Sequence, residues 1–145
     1  MTQDNNSVIV EQSFDASAEE VWNALTDITQ MRQWFFDNIP SFEPVVGFET
    51  QFTVNSGNRD FLHQWKITEV EHNKKIVYDW SYKEYEGKAF VVFELFDKKD
   101  HTLLRVTNIG LETFTADIPE FSRESCQGGW EYFIQQNLKR FLDKN

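Results

Sequence analysis

The stretch GGWEYFIQQNLKRFL, residues 128–142, decides how the chain is read. Trp130, Phe133, Ile134, Leu138, Phe141 and Leu142 recur at steps of three and four, which gathers them on one broad apolar face of a helix. Gln135, Gln136, Lys139, Arg140 and Lys144 lie largely elsewhere, and cations near a C-terminus suit the helix dipole. The helix starts either at Asp117 with Pro119 or at Ser122. Either start leaves Gly128 and Gly129 inside it, where each costs about 1 kcal/mol relative to alanine. Such a pair needs a reason, and close approach of the helix to a neighbouring layer is the one expected.

A long helix with one apolar face needs an apolar partner, and the preceding chain supplies a sheet. Val8, Val10 and Phe14 alternate with polar neighbours as a half-buried strand. Ser17 and Glu20 then form a capping box for a helix with Val21, Leu25 and Ile28 on one face, and a short helical turn over Met31 to Phe35 follows. Pro40, Pro44 and Gly47 read as loop. From Phe48 the period becomes two: Phe48, Phe52 and Val54, then Phe61, His63, Trp65 and Ile67, then Ile76, Tyr78, Trp80 and Tyr82. Val91, Phe93 and Leu95 follow, and finally Leu104, Val106 and Asn108. Turns are expected at Asn55 to Asn58, His72 to Lys74, Glu86-Gly87 and Lys98 to His101, with a bulge near Glu69. The order is strand, helices, about five antiparallel strands and a terminal helix. An α+β fold in which a curved antiparallel sheet wraps the C-terminal helix buries both apolar faces, as one domain over residues 1–145.

Charge and cysteine content bound the function. Lys and Arg total 14 against 24 for Asp and Glu, a net charge of −10. Nucleic acids and anionic membrane surfaces both need cationic contacts, so neither is an expected partner. The single cysteine, Cys126, rules out an intramolecular disulfide and fits a reducing compartment. With no apolar run of about 20 residues and no secretory signal, a cytoplasmic location is expected.

Several motifs together carry a family resemblance. FDASAEEVWNALTD (residues 14–27) followed by Gln33-Trp34-Phe35 resembles the start of the START-like superfamily, also called SRPBCC. Val46-Gly47-Phe48 with Phe52, Lys75 to Trp80, Val91 to Leu95, Thr107 to Gly110, and Gly129-Trp130-Glu131 with Leu138-Lys139 and Leu142 are similar, in order and spacing, to activators of the heat-shock-protein-90 ATPase. The match covers nearly the whole chain. It departs where Ser17-Ala18 replaces a common proline, where Phe48 replaces the second glycine of a pair, and where Asn108 replaces a frequent histidine. The last departure puts histidine chemistry at that position in doubt. The resemblance implies a helix-grip fold, as in the birch-pollen-allergen-like proteins, enclosing an apolar cavity. Relatives bind lipids, sterols, plant hormones or polyketides, some are cyclases or dehydratases, and the eukaryotic namesake binds a chaperone.

The chain holds 14 Phe, 5 Trp and 4 Tyr. Strand and helix phase place Trp34, Phe35, Phe52, His63, Trp65, Trp80, Tyr82, Phe93, Asn108, Trp130 and Phe133 around the expected cavity. Ligand sites are mostly apolar and aromatic, with a few polar groups for orientation, here His63, Asn108, Gln64 and Tyr82. Three consecutive aromatics, Trp34-Phe35-Phe36, are expected not to share one core, so that one gates the cavity mouth or meets a partner.

Catalytic and metal sites are expected to be absent. His63, His72 and His101 lack metal-ligand spacing, Asp37, Glu43 and Glu49 read as surface charge, and Cys126 has no visible base. No Gly-rich phosphate loop follows a strand, so no cofactor is expected. The leading reading is non-enzymatic binding of a small hydrophobic molecule such as a lipid, sterol, flavonoid or polyketide. The alternative is a chaperone co-regulator or protein-interaction module, with a filled core and an exposed patch around Trp34 to Ile39. A cofactor-free cyclase or dehydratase ranks third. A cavity of about 300 Å³ or more favours the first, a collapsed core the second, and a pair of hydrogen-bonded titratable groups inside the pocket the third.

Overall fold

The computed structural model of the chain describes residues 7–114 and 118–143. Asp117 and Lys144, named above, lie outside the described residues. Strand β1 (Val8–Phe14) leads into helices α1 (Ala18–Thr26) and α2 (Ile28–Trp34). Five strands follow: β2 (Glu49–Ser56), β3 (Arg59–Glu71), β4 (Lys75–Tyr82), β5 (Tyr85–Asp97) and β6 (Thr102–Ile109). They form one antiparallel sheet in the order β1-β6-β5-β4-β3-β2. Two 3-10 turns, Leu111–Thr113 and Pro119–Phe121, precede α3 (Arg123–Trp130), which runs through a π-helical stretch, Glu131–Leu138, into α4 (Lys139–Asp143).

Local chemistry accounts for the element boundaries. Ser17 Oγ accepts the Glu20 amide at 3.1 Å while the Glu20 carboxylate accepts the Ser17 amide at 2.9 Å, the reciprocal box that starts α1. Ser122 caps α3 by accepting the Ser125 amide, so the terminal helix begins at the later of the two starts read from sequence. The bulge falls between Ile67 and Glu69, as the break in alternation requires. One turn moves. Tyr82 pairs with Tyr85, so the chain reverses at Lys83 and Glu84, and Glu86 and Gly87 belong to β5.

Gly87 has a different role from a turn glycine. Its φ is +119°, and a Cβ there would sit 2.6 Å from the Phe114 ring and 2.7 Å from the Thr113 carbonyl. This glycine lets the segment after β6 lie directly on β5.

The terminal helix buries Trp130, Ile134, Leu138 and Leu142, a strict spacing of four. Such a row drifts about 40° per step on an α-helix. The wider π-helical winding over Glu131–Leu138 offsets that drift and holds the row against the sheet. Side chains of the same helix close the free edge of β1: Arg123 Nε donates to the Ser7 carbonyl at 3.1 Å and Gln135 Nε2 to the Glu11 carbonyl at 3.0 Å.

Trp34, Phe35 and Phe36 do share the core, against expectation. Phe35 leaves helical geometry at φ −106° and ψ −115°, which fans the rings apart. Trp34 is 1% exposed and stacks on Phe35 at 4.6 Å, and half-buried Phe36 packs on Phe52 and Phe133 at 5.2 and 5.0 Å. Ile39 is buried as well, so no apolar patch runs from Trp34 to Ile39. Among the described residues no helix is long and apolar enough to cross a membrane.

Candidate functional site

Between the sheet and the terminal helix lies an apolar cavity of about 130 Å³. The sheet contributes Trp80, Tyr82, Ala89 and Asn108. The segment after β6 contributes Leu111, Phe114 and Phe121. The helix contributes Cys126, Gly129, Trp130 and Phe133.

Three hydrogen bonds order its walls. Trp80 Nε1 donates to the Tyr82 hydroxyl at 2.8 Å. Trp130 Nε1 donates to Asn108 Oδ1 at 3.1 Å, and Asn108 Nδ2 donates onward to the Phe90 carbonyl at 3.2 Å. Burial pushes the Tyr82 phenol up and the Cys126 thiol to about 11, so both stay neutral near pH 7. Among the described lining residues there is no carboxylate, lysine, arginine or histidine. No group of three His, Cys, Asp or Glu among the described residues could hold a metal ion.

Of the residues placed by strand and helix phase, Trp80, Tyr82, Asn108, Trp130 and Phe133 line this cavity. The others pack mostly on one another. Phe35 stacks on Trp65 at 5.5 Å, Phe52 stacks on His63 at 5.2 Å, and Trp34 donates its Nε1–H to the Ala24 carbonyl at 2.7 Å. Phe93 lies against Tyr78 and Trp130 at 5.5 and 5.7 Å. His63 is buried among Phe36, Phe52, Trp80 and Tyr82, with Nδ1 at 3.0 Å from the Phe61 carbonyl. Burial lowers its pKa to about 4, only partly opposed by that carbonyl and by Glu84. The ring is therefore neutral, with Nδ1–H donating. Gln64 stands on the opposite face of β3, where it donates to Gln51 at 3.4 Å, because it falls in the other phase from His63 and Trp65.

Three cavity residues, Leu111, Phe114 and Phe121, carry no periodic signal, since they lie in or beside 3-10 turns of three residues. Their only mark in the sequence is large apolar side chains in a stretch with no element of its own. Gly87 and Thr113 hold that stretch down: the Lys88 amide donates to Thr113 Oγ1 at 2.9 Å. Glu120 fastens its far end by accepting from Ser56 Oγ at 2.8 Å and pairing with Arg59 at 3.4 Å.

Gly129 is also reassigned. A Cβ at Gly128 or Gly129 would meet nothing within 4 Å, so close packing is not the reason for the pair. At Gly129 the missing side chain leaves open part of the cavity wall.

A curved antiparallel sheet gripping a terminal helix of 21 residues around an apolar cavity defines the helix-grip class of the START-like proteins. The sequence model of the family described as activator of Hsp90 ATPase homolog 1-like protein matches residues 15–143, and the chain belongs to that family. No curated protein sequence matches. Among solved structures, protein CV1439 from Chromobacterium violaceum superposes with a TM-score of 0.80 at 15% identity, over 97% of this chain and 99% of its own. The Aha1 dimer from Colwellia psychrerythraea gives 0.72 at 21% identity, over 94% and 95%. DynU16, a protein of the dynemicin biosynthetic locus, gives 0.75 at 23% identity, over 96% of this chain but only 48% of its own length. These likenesses establish the fold.

Proposed function

We propose that the chain is a non-enzymatic binding protein for a small hydrophobic molecule, held in the cavity between the sheet and the terminal helix. The observation that carries this reading is Gly129. A glycine inside a helix costs about 1 kcal/mol relative to alanine, and here no steric contact demands it. Its effect is to keep open a cavity walled by Trp80, Tyr82, Trp130 and Phe133. At about 130 Å³ the space is below the usual range for drug-sized ligands and near that of a single aromatic ring, smaller than the sterols and polyketides considered from sequence.

One observation favours a protein-interaction module instead: the rings of Phe35, Phe36, Phe52, His63 and Trp65 fill the rest of the grip. The apolar patch from Trp34 to Ile39 that this reading expects is not exposed: Trp34, Phe35 and Ile39 are buried and Phe36 is half-buried. A cyclase or dehydratase is favoured by neither titratable lining group, since burial keeps both Tyr82 and Cys126 protonated.

A thermal-shift screen over fatty acids, sterols, flavonoids, quinones and monocyclic aromatics tests the proposal. A ligand at a hundred times its dissociation constant stabilises by about 2.7 kcal/mol. A shift that Gly129→Leu abolishes supports the cavity. No shift across the panel, together with direct binding of the chain to Hsp90 by calorimetry, selects the partner module.

A further inference from the structure

We infer that the cavity selects an uncharged, single-ring aromatic molecule bearing one hydrogen-bond acceptor, and that the Tyr82 hydroxyl is the group that receives it. This deepens the binding role proposed above and rests on it.

Three features of the walls lead there. First, charge is excluded. The lining is Trp, Tyr, Phe, Leu, Ala, Cys, Gly and one Asn, with no cation among the described residues to meet an anion. An ionised carboxylate taken out of water without a partner is strongly disfavoured. The ion pair of Lys88 with Asp79 at 3.7 Å, each next in sequence to a lining residue, belongs to the groove on the opposite face of the sheet.

Second, most of the polar capacity of the walls is used up. Asn108 accepts from Trp130 through its carbonyl and donates one amide N–H to the Phe90 carbonyl, which holds its side chain from both ends. The Trp80 N–H is committed to the Tyr82 oxygen at 2.8 Å. That bond uses a Tyr82 lone pair and leaves the phenolic O–H without an acceptor among the described residues. A phenol that accepts from an indole still has its own O–H to donate. Burial raises the phenol's pKa, which keeps that proton in place at neutral pH.

Third, shape. A volume of about 130 Å³ bounded by Trp80, Trp130, Phe114, Phe121 and Phe133 suits one ring with a short substituent, which can stack or meet ring edges on several sides.

The test uses three probes with the same branched benzene skeleton: isopropylbenzene, acetophenone and benzoate. Binding is followed by tryptophan fluorescence and ligand-observed NMR at pH 7. Isopropylbenzene and acetophenone are expected to bind, and benzoate to bind at least a hundredfold more weakly than acetophenone. Tyr82→Phe is expected to weaken acetophenone about tenfold relative to isopropylbenzene, since a buried carbonyl loses its donor. Should Tyr82→Phe fail to fold, the carbonyl stretch of acetophenone bound to the wild-type protein serves instead, and it is expected at the lowered frequency of a hydrogen-bonded ketone. Benzoate binding as tightly as acetophenone, an unchanged ratio in Tyr82→Phe, or an unshifted carbonyl stretch overturns the inference. Isopropylbenzene binding without acetophenone overturns it too, yet leaves the hydrophobic cavity standing. Binding of none of the three overturns the inference, and the wider ligand panel then decides the binding role.

Discussion

The indole of Trp130 on the terminal helix donates to Asn108 Oδ1 on β6 at 3.1 Å, and this bond fastens the helix to the inward face of the sheet, one strand in from the β1 edge, beside the cavity. Both side chains are buried, at 5% and 6% exposure. Asn108 also anchors to the Phe90 carbonyl, so its amide cannot turn away from Trp130 without losing a second partner.

Asn108→Ala strands the Trp130 N–H. A buried donor left without an acceptor costs about 1–3 kcal/mol. Urea denaturation is expected to show a loss of about 2 kcal/mol with an unchanged slope. An unaltered midpoint contradicts the anchoring role.

Trp65 offers the contrasting case. Its buried Nε1–H has no acceptor among the described residues. Trp65→Phe removes a group that was already unsatisfied, whereas Trp130→Phe removes a made bond and leaves Asn108 short of a donor. Trp65→Phe is expected to cost about 1 kcal/mol less than Trp130→Phe in paired denaturation curves. The reverse order contradicts this account of the two indoles.

His63 makes stability depend on acid. Its folded pKa, about 4, lies below the ordinary 6.5, because burial disfavours the imidazolium. Between those two values the unfolded chain binds a proton that the folded chain does not. Stability from this group is therefore complete above about pH 6.5 and falls as pH drops toward 4, by about 3 kcal/mol over that window. The difference between wild type and His63→Gln, measured by denaturation at several pH values, isolates the effect from the carboxylates. Parallel curves contradict it.

Gly128 and Gly129 separate helix propensity from cavity. Gly128→Ala and Gly129→Ala are each expected to stabilise by about 1 kcal/mol, since neither Cβ meets an obstacle. Gly129→Leu is expected to reduce binding of any cavity ligand, and Gly128→Ala to leave it intact, because Gly129 alone of the two lines the cavity. Thermal melts and ligand titrations read both effects.

Phase along each strand is local information, and it was legible in the chain. Phe61, His63, Trp65 and Ile67 face inward together because a strand repeats every two residues, and Ser17 with Glu20 marks a helix start within four residues. The terminal helix announces its apolar face through Trp130, Ile134, Leu138 and Leu142. The order of these elements, with the family motifs, leads to the helix-grip fold.

Phase tells which residues point inward, but not which of them meet. Trp65 and Trp80 sit directly opposite each other in the pairing of β3 and β4 and both pack against Phe35 and Phe36 from the end of α2, yet only Trp80 reaches the cavity. Leu111, Phe114 and Phe121 become cavity wall only because Gly87 lets their segment lie on β5 and Glu120 ties its end to Ser56 and Arg59. Gly129 reads as a cost in the helix and shows its use only against the empty space beside it. The sequence by itself determined the elements, their inward faces and the fold, since these follow from short-range periodicity and capping. Where the core is filled and where it is left open was decided by the tertiary structure alone, because a void is a sum over distant side chains that no local pattern records.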